Sequence, residues 1–246
     1  MRHPKNKRPY DKLSLIYDGL MKDVNFNLWT KYVMDIAKKY VNTASSFLEL
    51  AAGNCTIAKT IKKKYSNLIA TDISLPMLNV HFHPDLFKVC CNMISLPFKK
   101  KFDFVYATFD SVNYLLTQKE LLFLFGEIEI ALSDSGIFTF DVSLENNSLE
   151  FTDIQVTKDN YNGFSFKRIN SYDKETRIHK NVFYIYDKSG VRFKEVHKQK
   201  IYSFETFFNL IDKAGLVVKE CYDGFTFNDG SPKSERVQFV VGKRAA

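Results

Sequence analysis

The chain has 246 residues, 45% of them hydrophobic and 26% charged, with a formal net charge of +7. That is enough apolar material for one large core carrying an insertion, and no apolar run reaches the length of a membrane span or of a signal peptide behind the basic opening MRHPKNKRPY. The cysteines Cys55, Cys90, Cys91 and Cys221 include no C-x-x-C pair, so we expect reduced thiols in a cytoplasmic protein, with no disulfide set and no metal site.

In chain order, the first few residues are expected to be mobile. Apolar residues recur at helical spacing over 13–37, predicting two N-terminal helices. Residues 45–50 read as a strand, 56–65 as a helix and 67–71 as a strand ending at Asp72. A helix is predicted over 74–80, with Ser74 as N-cap and Pro76 in its first turn. Strands follow over 87–91 and 102–108. An amphipathic helix over 117–132 opens on the capping box of Thr117 and Glu120 and is predicted to be broken by Gly136, ahead of a strand over 137–142. Such alternation marks a parallel sheet covered on both faces. Residues 150–202 instead hold consecutive strand-like runs, FSFKRINSY, IHKNVFYIYD and VRFKEVHKQKIYS, which predict an antiparallel insertion. A helix over 203–214, capped by Ser203 and ended by Gly215, and strands over 216–222 and 236–241 complete the chain.

The stretch FLELAAGNCT carries the first chemical hint. A strand ends at Glu49, and a helix starts near Cys55 or Thr56. The turn between them holds Ala51, Ala52 and Gly53, small residues that let backbone approach a ligand. Asp72 follows Glu49 at about the spacing at which an acid on the second strand accepts ribose hydroxyls; the same residue also reads as a helix N-cap. Asn92 offers an amide to an adenine edge. The loop after the strand FDFVYAT is rich in hydrogen-bonding and stacking side chains.

Together the motifs LELAAGNC (48–55), DISLPML (72–78), NMISLPF (92–98), FDFV and DSVNYL (102–115) and GIFTFD (136–141) resemble the class I S-adenosylmethionine-dependent methyltransferases of the small-molecule type. The opening YDKLSLIYDGLMKD, the helix ending AGL and the final ERVQFVVGK extend the resemblance over nearly the whole chain. It implies an α/β, Rossmann-like seven-stranded, mostly parallel sheet with a reversed last strand, plus the antiparallel β insertion. Residues 1–44 would be N-terminal helices closing the site, 45–149 and 203–246 the core, and 150–202 a lid.

The resemblance also implies roles. Glu49 would hold the amino group of S-adenosylmethionine. Ala51 and Gly53 would line the cofactor turn, Asp72 would take the ribose hydroxyls and Ile73 would pack on adenine. Asn92 and Met93 would border the adenine edge, and Phe109 would lie near the reacting end. Tyr10 and Tyr17 would close the site, and Asn113 and Tyr114 would face substrate or brace their loop. Ala51 and Cys55 stand where the family has glycines, Asn54 where it has threonine and Asn92 where it has aspartate. A neutral hydrogen bond contributes about 0.5–1.5 kcal/mol, against about 1.5–3 with a charge, so these changes imply roughly tenfold weaker binding.

Methyl transfer from a sulfonium needs little acid–base machinery, and no catalytic residue is legible; His81, His83, His179 and His197 are expected at the surface. The expected activity is methyl transfer to the N or O nucleophile of a small-molecule acceptor. The lysine triplets 62–64 and 99–101 read as solvated helix and loop ends. An RNA methyltransferase using the net charge of +7 is the alternative, as is a degenerate member that binds the cofactor without reacting. Neither a nucleic acid nor a membrane is the expected partner, and the acceptor and oligomeric state stay open.

Overall fold

The computed structural model describes residues 4–43 and 45–244. In chain order the elements are β1 (Lys5–Asn6), a 3₁₀ turn (Leu13–Leu15), α1 (Tyr17–Leu20), α2 (Phe26–Ala37), β2 (Phe47–Leu50), α3 (Thr56–Lys62), β3 (Leu68–Asp72), α4 (Leu75–Leu78), β4 (Phe87–Cys90) and β5 (Phe102–Ala107). There follow a 3₁₀ turn (Ser111–Tyr114), α5 (Gln118–Ala131), β6 (Leu132–Ser143), β7 (Gln155–Tyr161), β8 (Phe164–Asp173), β9 (Ile178–Tyr186), β10 (Arg192–Lys200), α6 (Phe204–Lys213), β11 (Leu216–Asp223) and β12 (Arg236–Lys243).

Seven strands form the main sheet in the order β11-β12-β6-β5-β2-β3-β4. β4, β3, β2, β5 and β6 run parallel, and β12 lies antiparallel to both β6 and β11. The reversed last strand is therefore present as the sequence predicts. α5 buries Leu121, Leu124, Phe125 and Ile128, the i, i+3, i+4 stripe of an amphipathic helix, and its capping box forms as read. That stripe meets Phe138, Phe140, Phe207 and Phe239 in one core layer. α2 and α3 cover the other face through Trp29, Tyr32, Ile36, Ile57 and Ile61 against Phe47, Phe104 and Tyr106. Fully burying a phenylalanine of this kind contributes about 1.5–3 kcal/mol, so the aromatic layers carry much of the apolar stabilisation.

The helix ends differ from the sequence reading for identifiable reasons. α5 ends at Ala131, and Leu132 is already extended. Gly136 lies within β6 at the irregularity where the register against β5 jumps from Phe102–Leu132 to Phe104–Ile137. A Cβ there would sit 2.7 Å from the Phe102 carbonyl oxygen, so glycine serves the close strand approach instead of breaking the helix. Ser203 does not cap α6 through its side chain; its Oγ pairs with Thr206 Oγ1 at 2.9 Å.

β7 to β10 form a second, antiparallel sheet, to which β1 adds a fifth strand parallel to β10. The expected mobile tip falls on residues 1–3, outside the described residues; from Lys5 the chain is strand. The N-terminal segment is thus part of the insertion's sheet, and Leu13 and Ile16 share a small core with Phe166, Phe183 and Ile185. The β7 end packs on α1 so closely that a Cβ on Gly19 would lie 2.2–2.5 Å from Tyr161 side-chain atoms, and Lys22 pairs with Asp159 beside it at 2.7 Å. Forcing a methyl into such a contact costs about 1–3 kcal/mol. Gly19→Ala should therefore lower the thermal midpoint and raise amide hydrogen exchange over β7 and β8, while the main-sheet amides keep their protection.

Candidate active site

The C-terminal ends of β2, β3, β4 and β5 open into one cavity of about 550 Å³. This is the edge at which open α/β sheets bind ligands. Tyr10, Tyr17, Glu49, Ala51, Gly53, Asp72, Ile73, Asn92, Met93, Phe109 and Tyr114 all border it. Asn113 does not. It is fully buried, accepts from Ser143 N at 3.0 Å and donates to the carbonyls of Ser143 and Lys200 at 3.2 and 2.9 Å. Of the two roles read for it, the structure shows the brace.

The turn after β2 has the backbone shape of a glycine loop. Ala51, Gly53 and Cys55 take φ values of 51°, 55° and 63°. Asn54 supports the turn by accepting from Thr56 N and Oγ1 at 3.2 and 2.8 Å, and it donates to Asp18 of α1 at 2.9 Å. Burial, reinforced by Glu49, pushes the Cys55 thiol up to about 12, so it stays protonated and inert. Tyr10, Phe109 and Asp110 also have positive φ. Strained backbone therefore gathers around this cavity, as it does at functional sites generally.

Glu49 is 1% exposed and its Oε2 has no hydrogen-bond partner. Burial raises its carboxyl to about 8, against the opposing influence of Tyr106 and the Ala58 backbone. Asp72 accepts from Gly53 N at 2.8 Å and from Ser74 N at 2.7 Å. Burial raises its pKa, with those N–H groups pulling the other way. The N-cap of α4 is Ser74, whose Oγ accepts from Met77 N at 3.3 Å. Asn92 accepts from Ile94 N at 3.2 Å and shapes its own loop, and Ile73 is 67% exposed at the rim. Phe109 packs against Trp29 with the rings tilted and their centroids 4.2 Å apart. Behind it, Arg236 lies over Trp29, bonds Asp141 and sits 3.6 Å from Asp110.

The insertion contributes differently from expectation: none of its strands lines the cavity. It holds the N-terminal segment that does. Glu195 of β10 accepts from Tyr10 N at 2.8 Å, from Leu13 N at 3.1 Å and from Lys12 N. His197 and His179 are 2% and 7% exposed, which corrects their surface placement. His197 bonds Tyr114, and His179 bonds Ser148 and Asn170. Glu195 and Arg236 were missed altogether. Glu195 and His197 stand two apart in a strand-like run, so they share one face with Phe193; that pairing was the available signal.

Sheet order, reversed strand and edge cavity define a Rossmann-like fold. A methyltransferase-domain family matches residues 48–140. A putative methyltransferase of Bacillus subtilis, YqeM, is 25% identical over 243 residues, covering 95% of this chain and 97% of that one. An S-adenosylmethionine-dependent methyltransferase structure from Clostridium acetobutylicum superposes with a TM-score of 0.79 at 20% identity, over 96% of this chain and 99% of that one. The S-adenosylmethionine-bound CalS10, an amino pentose methyltransferase from Micromonospora echinaspora, gives 0.70 at 15% identity, over 93% and 97%. The chain is a methyltransferase.

The turn makes a stability prediction. An L-residue in the left-handed region costs about 1–2 kcal/mol, while glycine's greater unfolded-state freedom costs about 0.4–1. Ala51→Gly should therefore raise the urea midpoint, by up to about 1.6 kcal/mol in stability.

Proposed function

We propose that the protein methylates an N or O nucleophile on a small molecule. The observation that carries this is the cavity itself, lined by the core turn together with Tyr10, Tyr17 and Tyr114. Its size is that of a small-ligand site. No lysine of 62–64 or 99–101 lines it, which favours a small molecule over a nucleic acid. The likeness to an amino pentose methyltransferase supports the same reading.

The residues fit the cofactor. Glu49 Oε2, buried and without a partner, suits the ammonium of the methionine part. The positive-φ turn keeps the backbone around Gly53 low beneath it. Asp72 keeps lone pairs for ribose hydroxyls beyond its two N–H bonds. Ile73, Asn92 and Met93 would flank adenine, and Phe109 the reacting end. When bound, S-adenosylmethionine supplies a methyl activated by a sulfonium. The protein's part is to align the acceptor and exclude water. The N-terminal segment closes the site through Tyr10 and Tyr17, and the 150–202 insertion holds that segment in place through Glu195 without lining the cavity.

Two measurements test this. With Glu49 protonated below about pH 8 in the ligand-free protein, capture of an ammonium expels that proton. Titration with S-adenosylhomocysteine at pH 7, in buffers of differing ionisation enthalpy, should show proton release that fades as pH rises through 8. Glu49→Gln should abolish the release and weaken binding roughly 10- to 100-fold, the loss of one charge-assisted bond.

The second measurement follows S-adenosylhomocysteine formation against a panel of amino sugars, small amines, hydroxylated compounds and RNA. Turnover with a small amine or alcohol, abolished together with cofactor binding in Asp72→Ala, is the expected result. Turnover with RNA alone overturns the reading.

A further inference from the structure

Behind the cavity wall, four side chains form a continuous polar line. Tyr10 Oη lies 2.9 Å from Tyr114 Oη, Tyr114 Oη lies 3.2 Å from His197 Nδ1, and His197 Nε2 lies 3.3 Å from Glu195 Oε2. Both tyrosines border the cavity, whereas His197 and Glu195 are 2% and 0% exposed and do not. Tyr10 also packs edge-on against the imidazole with ring centroids 4.7 Å apart.

The chemistry gives the line a direction. Glu195 takes three backbone N–H groups, so its carboxylate accepts. His197 Nε2 must then carry the proton it offers, and Nδ1 of the neutral ring is the acceptor for Tyr114. Tyr114 donates to Nδ1, and Tyr10 donates to Tyr114. The free lone pair at the cavity end belongs to Tyr10 Oη. Burial raises both phenols well above their ordinary range, so they stay protonated and pass a proton on without holding it.

We infer that Tyr10, Tyr114, His197 and Glu195 form a proton relay that takes one proton from the methyl acceptor. This deepens the reading proposed above and rests on it. It assigns the acceptor to the class of protonated nucleophiles, an ammonium or a hydroxyl. The proton leaves the acceptor N–H⁺ or O–H for Tyr10 Oη; the Tyr10 proton moves to Tyr114, and the Tyr114 proton moves to His197 Nδ1. The freed lone pair forms the new bond to the methyl carbon while the sulfur–carbon bond breaks and its electron pair stays on sulfur. The imidazolium so formed lies against the Glu195 carboxylate, and its proton returns along the same line to solvent after product leaves. His197 and Glu195 are positioning residues acting through the tyrosines. The other charged groups near the line are Arg168 of β8 and Asp110 beside Tyr114, and Asp72 towards both phenols.

The test begins with nitrogen-15 NMR of the imidazoles in the full chain loaded with S-adenosylhomocysteine, which needs no acceptor. The expected spectrum at neutral pH has His197 protonated on Nε2 and bare at Nδ1, and Tyr114→Phe moves the Nδ1 resonance alone. A proton on Nδ1, or an imidazolium persisting at neutral pH, overturns the relay. The second measurement uses whichever acceptor the panel identifies. His197→Gln keeps hydrogen-bonding groups but cannot take the proton. It should lower kcat about 100-fold while leaving the KM for S-adenosylmethionine unchanged; an unchanged kcat overturns the proposal. If the native protein methylates nothing in the panel, the small-molecule reading fails, and the nitrogen resonances still decide the direction of the line.

Discussion

The rest of the structure depends on a buried carboxylate. Glu195 is 0% exposed, and an isolated buried charge is too costly to keep unless it is paired and hydrogen-bonded. The chain meets that requirement with the backbone N–H groups of Tyr10, Lys12 and Leu13. Those donors converge only if the N-terminal segment wraps around the β10 side chain. The wrap puts Tyr10 into the left-handed region at φ 66°. It also brings Leu13 and Ile16 onto Phe166, Phe183 and Ile185. One electrostatic demand thereby joins two regions far apart in sequence and sets the wall of the cavity between them.

A second constraint acts from the other side. The β2 turn needs three positive φ values within five residues, yet only Gly53 is a glycine. Alanine and cysteine tolerate this because neighbours hold the turn in place: Asn54 binds forward to Thr56 and across to Asp18, while Asp72 accepts from Gly53. Asp18 also meets His81 at 3.1 Å. The turn is therefore braced by α1, which is itself latched to β7 at Gly19. Missing glycines in the core are compensated by contacts that lead to the N-terminal segment.

The core was legible because its residues serve their neighbours in sequence. A strand end, a small-residue turn and an acid about twenty residues later form one local pattern, and the alternation of periods gives the sheet. The capped α5 follows from the same kind of signal, whereas the reversed β12 was implied by the family resemblance alone. What could not be read depends on partners 83 to 185 residues away. Glu195 looks like one more charge in a basic strand until Tyr10 is placed against it. His197 looks solvent-facing until Tyr114 covers it. Arg236 pairs with Asp141 across 95 positions. Gly136 was read as a helix breaker because strand irregularity has no local mark apart from the glycine itself.

This division between local and distant signals matches a division of labour within the proposed site. The groups assigned to the cofactor, Glu49, Gly53 and Asp72, all come from β2 and β3 and the turns that follow them. The groups assigned to the acceptor's proton come from the N-terminal segment, the loop after β5 and β10. Cofactor geometry is fixed by backbone within one sheet edge, so it survives with few side chains specified. Acceptor chemistry is assembled from elements that meet only in the folded chain. A change in the insertion can therefore retune the acceptor side through Glu195 and His197 without touching the cavity lining, because neither residue borders it.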